Sequence, residues 1–200
     1  MRGILASPGR SLIAGGALTL MILGLWLVTA GTDRIGLLSF ILRWLHVFAG
    51  IVWVGMVWFV NFIQLVALQE ADDSSRATLL KLVAPRVAQT FRHASHMSLL
   101  TGVLLLVASG YLLNRLLFTS EVYIPPLRAV SLWGGVLGGL VMWAFVHFII
   151  WPNLKVVLGH TPGDADARAR AREQVRTYAR WNLILSVPVT FVMVAAAHLY

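Results

Sequence analysis

Long apolar runs alternate with short polar stretches along the whole chain of 200 residues. Five runs reach the length of about 20 residues that a helix needs to cross a bilayer. We place these spans at about 11–30, 43–68, 93–118, 129–157 and 181–200. The pattern predicts an all-α integral membrane protein, a single transmembrane domain over 1–200, in which spans 2–5 form an antiparallel four-helix bundle.

The polar stretches predict two further helical segments. Asp73-Ser74-Ser75 is typical of a helix cap, and the apolar positions after it recur at helical spacing, which indicates a short amphipathic helix on the membrane surface. Residues 164–180 predict a basic helix that precedes the fifth span, and Pro188 is expected to kink that span. Arg43 is expected to mark the membrane boundary, with an interfacial turn before it. Residues 1–30 are either a retained first helix, which we favour, or a cleaved signal peptide.

Composition narrows the chemistry. The chain is 58% hydrophobic and 12% charged, and it has no cysteine. The absence of cysteine excludes disulfides, thiolate metal sites, cysteine-ligated iron–sulfur clusters and covalently attached haem. The net charge of +8 comes from basic residues that lie between the apolar spans, so it indicates membrane orientation rather than nucleic-acid binding.

The basic residues divide unequally between the two ends of the spans. With the N-terminus in the cytoplasm, the outer side holds four of the 16 lysines and arginines, and the inner side holds the other 12. Cytoplasmic loops are the ones enriched in lysine and arginine. The sequence therefore predicts a cytoplasmic N-terminus and a C-terminus on the opposite, periplasmic side.

Four histidines fall at two depths when the helix rise of about 1.5 Å per residue is applied. His46 lies about one turn inside the outer boundary, and His198 reaches the same level because it lies about 25 Å from the inner end of its span. His96 lies near the inner boundary, and His147 lies about 27 Å along the fourth span, at that same level. We expect an outer pair, His46 with His198, and an inner pair, His96 with His147, with His93 as the alternative to His96.

Two histidines from different helices can hold a b-type haem, which needs neutral imidazoles and apolar walls but no covalent attachment. The pairs predict two haems, with the four histidines as iron ligands. Gly50, one turn after His46, leaves space beside the macrocycle, and Arg43 is placed to meet propionate groups of the outer haem. The plainer interpretation stays open, because histidines near helix ends also hydrogen-bond to neighbouring helices or to water.

The remaining polar residues do not indicate a transport function or a second kind of site. All eight acidic residues lie outside the spans, which disfavours a transporter, because proton and cation pathways bury carboxylates. Asn61 and Gln64 lie near the inner end of the second span, where we expect them to cap the helix or to contact lipid headgroups.

Two stretches carry a resemblance to a known family. RWLHVFAGIVWVGMVWFVNFIQ, residues 43–64, resembles the second-span signature of the membrane part of bacterial cytochrome-c-linked urate oxidases. NLILSVPVTFVMVAAAH, residues 182–198, resembles the last span of that domain. The resemblance implies a helical domain in the bacterial inner membrane that is followed, in the family, by a cytochrome c domain outside it. The chain has no C-x-x-C-H motif, so we expect a short form that lacks that domain.

Three functions follow as hypotheses. The first is a b-type haem protein, an oxidoreductase component, that transfers electrons to a periplasmic cytochrome c or to a partner membrane redox subunit. The second is a non-catalytic accessory subunit of a larger hetero-oligomeric complex in the bilayer. The third is a membrane oxidase of a urate-like small molecule, which needs a polar pocket that the sequence does not show.

The topology is testable because the chain has no cysteine of its own. We expect Asp33→Cys to react with a membrane-impermeant maleimide in intact cells, and Arg170→Cys to react only after the membrane is opened, because the basic bias places residue 170 inside. The reverse labelling pattern would contradict the orientation.

Overall fold

Helices form all the regular structure of the residues that the computed structural model describes, which are 3, 5–30, 34–112 and 124–199. In chain order they are α1 (Pro8–Ala30), α2 (Arg34–Phe59), α3 (Leu65–Glu70), α4 (Asp73–Leu82), α5 (Ala84–Ala108), α6 (Pro126–Ala144), α7 (Trp151–Val157) and α8 (Ala165–His198). Two π-helical segments, Val60–Gln64 and Phe145–Ile150, join α2 to α3 and α6 to α7.

Five helical stretches are long and apolar enough to cross a membrane. They are Pro8–Thr29, Gly36–Glu70, Asp73–Ala108, Pro126–Val157 and Ala165–His198. The expectation of an all-α membrane protein with five spans is therefore confirmed, although several helix ends differ from those that hydropathy placed.

The chain divides into two compact units, Met1–Phe40 and Ile41–Tyr200. In the first unit, Trp26 of α1 lies against Phe40, with ring centroids 5.7 Å apart. Most large apolar side chains of α1 are exposed, which suits a helix whose surface is covered by lipid.

In the second unit, α8 packs along α6, α7 and both π-helical segments, and α5 packs on α4 and α6. The four spans of this unit form the expected antiparallel bundle. Its core comes from three of them, and consists of Trp53, Val57, Phe91, Ala94, Met142 and Val146.

Glycines on one face of α6 let α8 approach closely. A Cβ built on Gly135 would lie 2.9 Å from the sulfur of Met193, and one built on Gly138 would overlap Cγ2 of Val189. Gly134 and Gly139 face open space instead. Only half of the glycine cluster therefore serves helix packing, in agreement with the role of small residues between membrane helices.

Two expected breaks in the helices are absent. α2 runs from Arg34 through Arg43, so the interfacial turn before Arg43 was wrong. α8 is one helix of 34 residues with Pro188 inside it, so the basic segment and the fifth span are continuous. Asp164 caps this helix by accepting a hydrogen bond from the backbone N–H of Ala167 at 2.7 Å. The side chains of α8 change from polar to apolar near Trp181. This change alters the surroundings of the helix but does not interrupt its backbone hydrogen bonds.

The cap of α4 lies one residue before the expected position. Asp72 accepts hydrogen bonds from the N–H of Ser75 and the hydroxyl of Ser74, both at 2.8 Å. These bonds, the backbone one foremost, hold the pKa of the Asp72 carboxyl below its usual range. The third span also ends early, since α5 stops at Ala108 and Gly110 follows with φ +72°. The expected continuation over 113–118 lies outside the described residues.

The glycine contact generates a stability prediction. We expect Gly138→Ala to lower the free energy of unfolding by about 1–3 kcal/mol relative to Gly139→Ala, because only the first new methyl group meets a stiff, β-branched side chain of α8. The gain in helix propensity is common to both changes and cancels. Thermal unfolding in detergent, followed by circular dichroism, measures the difference, and equal stability of the two variants would contradict this packing.

Candidate functional site

The structure brings His96 of α5 and His147 of the π-helical segment Phe145–Ile150 into direct contact. Nε2 of His147 lies 2.9 Å from Nδ1 of His96. The ring centroids are 4.0 Å apart and the rings are nearly perpendicular, at 82°. Trp143 stacks on the ring of His147, with centroids 4.5 Å apart. The two residues that the helix rise placed at one depth are therefore neighbours.

Backbone carbonyls fix the tautomers of this pair. Nδ1 of His147 lies 2.9 Å from the carbonyl oxygen of Trp143, and Nδ1 of His96 lies 2.9 Å from that of Arg92. A carbonyl only accepts, so each Nδ1 carries a proton and each Nε2 carries a lone pair. His96 shares its proton between the carbonyl and His147, which leaves its own Nε2 free on an exposed side chain.

His46 contacts α5 rather than α8. Its Nδ1 donates to the carbonyl of Ser98 at 2.9 Å and lies 3.5 Å from the hydroxyl of Thr101. The ring lies against Gly102, where an added Cβ would come within 2.9 Å of Cε1. His46 thus also has a free Nε2, held in place by a bond to another helix, which is how proteins orient metal-binding histidines.

His198 lies at the end of α8, and its Nδ1 is 3.3 Å from the carbonyl of Val194 in its own helix. Arg128 of α6 donates from Nε to the carbonyl of Ala196 at 3.0 Å, which ties the start of α6 to the end of α8. Among the described residues, no hydrogen bond or ring contact joins His198 to His46. The outer pair therefore stays a prediction.

The other residues predicted for the haem sites lie as follows. His93 and Arg43 are exposed. Gly50 faces Ser98, whose hydroxyl would lie 4.0 Å from an added Cβ, so Gly102 is the glycine that makes room for the His46 ring. Arg92 stacks its guanidinium over Trp151, 4.4 Å from the ring centroid.

The donor set fits a b-type haem in its chemistry. All four predicted ligands place Nδ1 on a carbonyl, at 2.9–3.3 Å, so Nε2 is the nitrogen that each would offer to iron, although Nε2 of His147 accepts from Nδ1 of His96 in this structure. The rings of His96 and His147 are in direct contact, with Nε2 of His147 2.9 Å from Nδ1 of His96. Two nitrogens on opposite sides of one metal ion lie about 4 Å apart, so ligation of one iron by both requires their side chains to rotate. In the described part of the chain, no three His, Asp or Glu side chains cluster as a metal site.

A cavity of about 550 Å³ lies within the second unit, next to these residues. Its walls are mostly aliphatic side chains of both π-helical segments and of α5 and α8. Four arginines also line it, and we call the end of the bundle that they mark the basic end: Arg76, Arg92, Arg172 and Arg176. This volume falls in the range of small-molecule sites, about 300–1,000 Å³.

Amide side chains line the same cavity. Asn61 is 1% exposed and donates from Nδ2 to the carbonyls of Val57 and Ala179, at 2.8 and 3.0 Å. Asn182 is fully buried, at 0% exposure. No described residue hydrogen-bonds to the amide nitrogen or oxygen of Asn182, to Oδ1 of Asn61 or to Oε1 of Gln64.

Two sequence interpretations are wrong here. Asn61 was expected to cap a helix or to meet lipid headgroups, yet it is buried and bridges two helices. The sequence showed no pocket with polar groups, yet the mostly aliphatic cavity contains buried amides, and Asn182 was overlooked as one of them. The sequence feature that could have identified Asn182 is its position as a lone asparagine within the apolar run WNLILS. A polar side chain buried in such a run needs a hydrogen-bond partner.

Comparisons of the chain with protein-family models, with curated proteins and with solved structures found no match. The resemblance of the second and fifth spans to the membrane part of urate oxidases therefore stays a prediction. What the site can do must follow from its geometry.

The bond between His46 and Ser98 depends on Gly102. We expect Gly102→Ala to displace the His46 ring and to destabilise the protein by about 1–3 kcal/mol relative to Gly50→Ala, because the added Cβ would lie 2.9 Å from Cε1 of His46 at the first site and 4.0 Å from the nearest atom at the second. Imidazole nitrogen chemical shifts in labelled protein report the ring, and an unchanged His46 signal in Gly102→Ala would contradict the contact.

Proposed function

We propose that this chain is a b-type haem protein of the membrane that passes electrons to a separate redox partner. The observation that carries the proposal is the contact of His96 with His147, which come from two different helices. Intramembrane ionisable residues are rare and are functional by default. Two that contact each other, each with Nδ1 on a carbonyl, are a candidate pair of ligands whose side chains must rotate apart to admit one iron.

The protein contributes ligand orientation and surroundings. Carbonyls of Trp143 and Arg92 hold the protons of the ligand pair on Nδ1, and Trp143 supplies an aromatic wall. His46 and His198 would form the second ligand pair. Haem supplies one-electron chemistry, and axial histidine ligation with apolar walls sets its potential.

The basic end supplies the charges that haem propionates need. Arg92 lies one turn before His96 on α5, and among the described residues no carboxylate forms an ion pair with it. Its guanidinium, placed over Trp151, can pair with a propionate near His96. At the other end, Arg128 is the corresponding charge near His198, in preference to the exposed Arg43.

The partner is a cytochrome c or a membrane redox subunit on the side of the C-terminus. We place the chain in the bacterial inner membrane, with a cytoplasmic N-terminus, on the basis of the arginine distribution and of the family resemblance. The proposed family is the membrane part of cytochrome-c-linked urate oxidases. Oxidation of a urate-like molecule by this chain itself stays an alternative.

The second candidate is an accessory subunit, in which the contact of His96 with His147 is a hydrogen bond that joins two helices. The accessory-subunit function is supported by the direct contact of the two rings, which leaves no space between them for a metal ion. The two functions differ in whether the purified chain holds haem.

The test is a reduced-minus-oxidised spectrum of protein expressed with ample haem precursor. We expect about two b-type haems per chain, and we expect His96→Ala and His147→Ala to remove the same spectral component, because the loss of either ligand empties one site. His46→Ala and His198→Ala should each remove the other component.

His160→Ala is the control, because His160 lies in the turn after α7 and should leave the spectrum unchanged. His93→Ala tests the alternative ligand. Gel filtration of each variant separates haem loss from misfolding. Folded wild-type protein without haem would contradict the proposal and favour the accessory subunit, and a single haem removed by only one pair would make the other pair structural.

A further inference from the structure

The cavity at the basic end holds polar groups that the proposed function does not use, which are the amides of Asn61 and Asn182 and the guanidinium of Arg172. Asn61 and Asn182 lie at its buried side, on the π-helical segment Val60–Gln64 and on α8. Arg172 and Arg176 lie on the exposed part of α8. The cavity is therefore lined by exposed arginines, by aliphatic side chains and by two buried amides.

The unpaired atoms define what the buried side can bind. Both Nδ2 hydrogens of Asn61 are used by carbonyls of Val57 and Ala179, so its free Oδ1 can only accept. Asn182 has both its donors and its acceptor free among the described residues. A buried amide without partners is strongly unfavourable, by about 1–3 kcal/mol. A ligand that both donates and accepts hydrogen bonds satisfies the two side chains.

The charges define the other end of the ligand. Arg176 is paired with Glu173 at 2.6 Å, and Arg76 with Asp73 at 3.0 Å. Arg92 and Arg172 form no ion pair with any described carboxylate. Arg92 is the charge proposed above for a haem propionate, so Arg172 is the guanidinium that is left for a second anionic group, a carboxylate or phosphate in particular.

The backbone around the cavity is unusual on two sides. The π-helical segments Val60–Gln64 and Phe145–Ile150 both line it, through Asn61, Gln64, Val146 and Ile150. π-helical turns are rare and occur frequently at functional sites. One of them, Val60–Gln64, carries the buried amide of Asn61.

We propose that this cavity binds a small, water-soluble organic anion that carries, at the end away from its charge, a group able to donate and to accept hydrogen bonds. The anionic group lies at Arg172, the apolar middle lies against the aliphatic walls, and the polar group meets Asn61 and Asn182. A lipid acyl chain in the same space would leave Asn182 unpaired. The proposal does not depend on haem.

The probe is 4-carbamoylbenzoate, which has a carboxylate, an apolar ring and a primary amide in this order. Benzoate lacks the amide, and terephthalamide lacks the charge. Isothermal titration on the full chain in phosphatidylcholine nanodiscs should show saturable binding of 4-carbamoylbenzoate. We expect it to bind about tenfold more tightly than either analogue, because each analogue leaves one set of groups unpaired.

Variants connect the binding to the residues. Asn182→Leu should weaken 4-carbamoylbenzoate about tenfold and leave benzoate unchanged, because only the first ligand carries the amide. The variant should not lower the melting temperature, since the Asn182 side chain has no hydrogen bond to any described residue that could be lost. Arg172→Gln should weaken both acids about tenfold and leave terephthalamide unchanged. The control for charge is Arg170→Gln, on the same helix and outside the cavity lining.

Three outcomes would overturn the proposal. The first is an absence of saturable binding to the folded wild-type chain. The second is an equal effect of Asn182→Leu on 4-carbamoylbenzoate and benzoate, which would place the amide elsewhere. The third is displacement of 4-carbamoylbenzoate when phosphatidylglycerol replaces phosphatidylcholine, which would assign the basic end to an anionic lipid headgroup instead of a water-soluble anion.

Discussion

Inside a bilayer no water is present to satisfy a buried polar group, so each such group must find its partner within the protein. This constraint shapes the second unit of the chain. His46 uses the carbonyl of Ser98, and Asn61 uses carbonyls of its own helix and of α8. These bonds join the second span to α5 at one level and to α8 at another. Apolar packing and the glycine face of α6 then bring the helices close enough for the bonds to form.

The groups that break this rule are therefore informative. Buried polar atoms without a described partner belong to Trp53, Asn61, Gln64, Trp143 and Asn182. The three amides all line one cavity, and an unpaired buried polar group costs about 1–3 kcal/mol. A bundle that needed only stability could place leucine at these positions. The amides there, with two π-helical turns beside them, are the groups with which the proposed ligand would form hydrogen bonds.

The contact between His96 and His147 has a similar logic. A neutral hydrogen bond contributes a net stabilisation of only about 0.5–1.5 kcal/mol, and serine or asparagine side chains could provide it between two helices. Histidine adds a nitrogen lone pair, whose position a carbonyl fixes through the other ring nitrogen. Trp143 packs on the same ring. The contact uses two histidines, which are rare in membrane helices. A single serine or asparagine would be enough to join the two helices.

The sequence by itself determined the helices and the common level of His96 and His147, but not the level of His46, which was placed at the other boundary and contacts Ser98, two residues after His96. Backbone hydrogen bonding fixes the rise per residue, so His96 and His147 could be placed at one depth without any knowledge of the packing. The continuity of α8 was harder to predict. The change from arginine to apolar side chains near Trp181 resembles the start of a new helix, although the helix begins at Ala165.

Only the tertiary structure decided which way each side chain faces and what lies across from it. The predicted depths matched His46 with His198. In the structure, His46 instead contacts Ser98 and Gly102 of α5. The burial of Asn61 and Asn182 depends on the rotation of two helices that are distant in sequence, and a π-helical turn changes that rotation in one of them. Rise along a helix is a local property of the backbone, but the neighbours around its axis arise from contacts among all the helices.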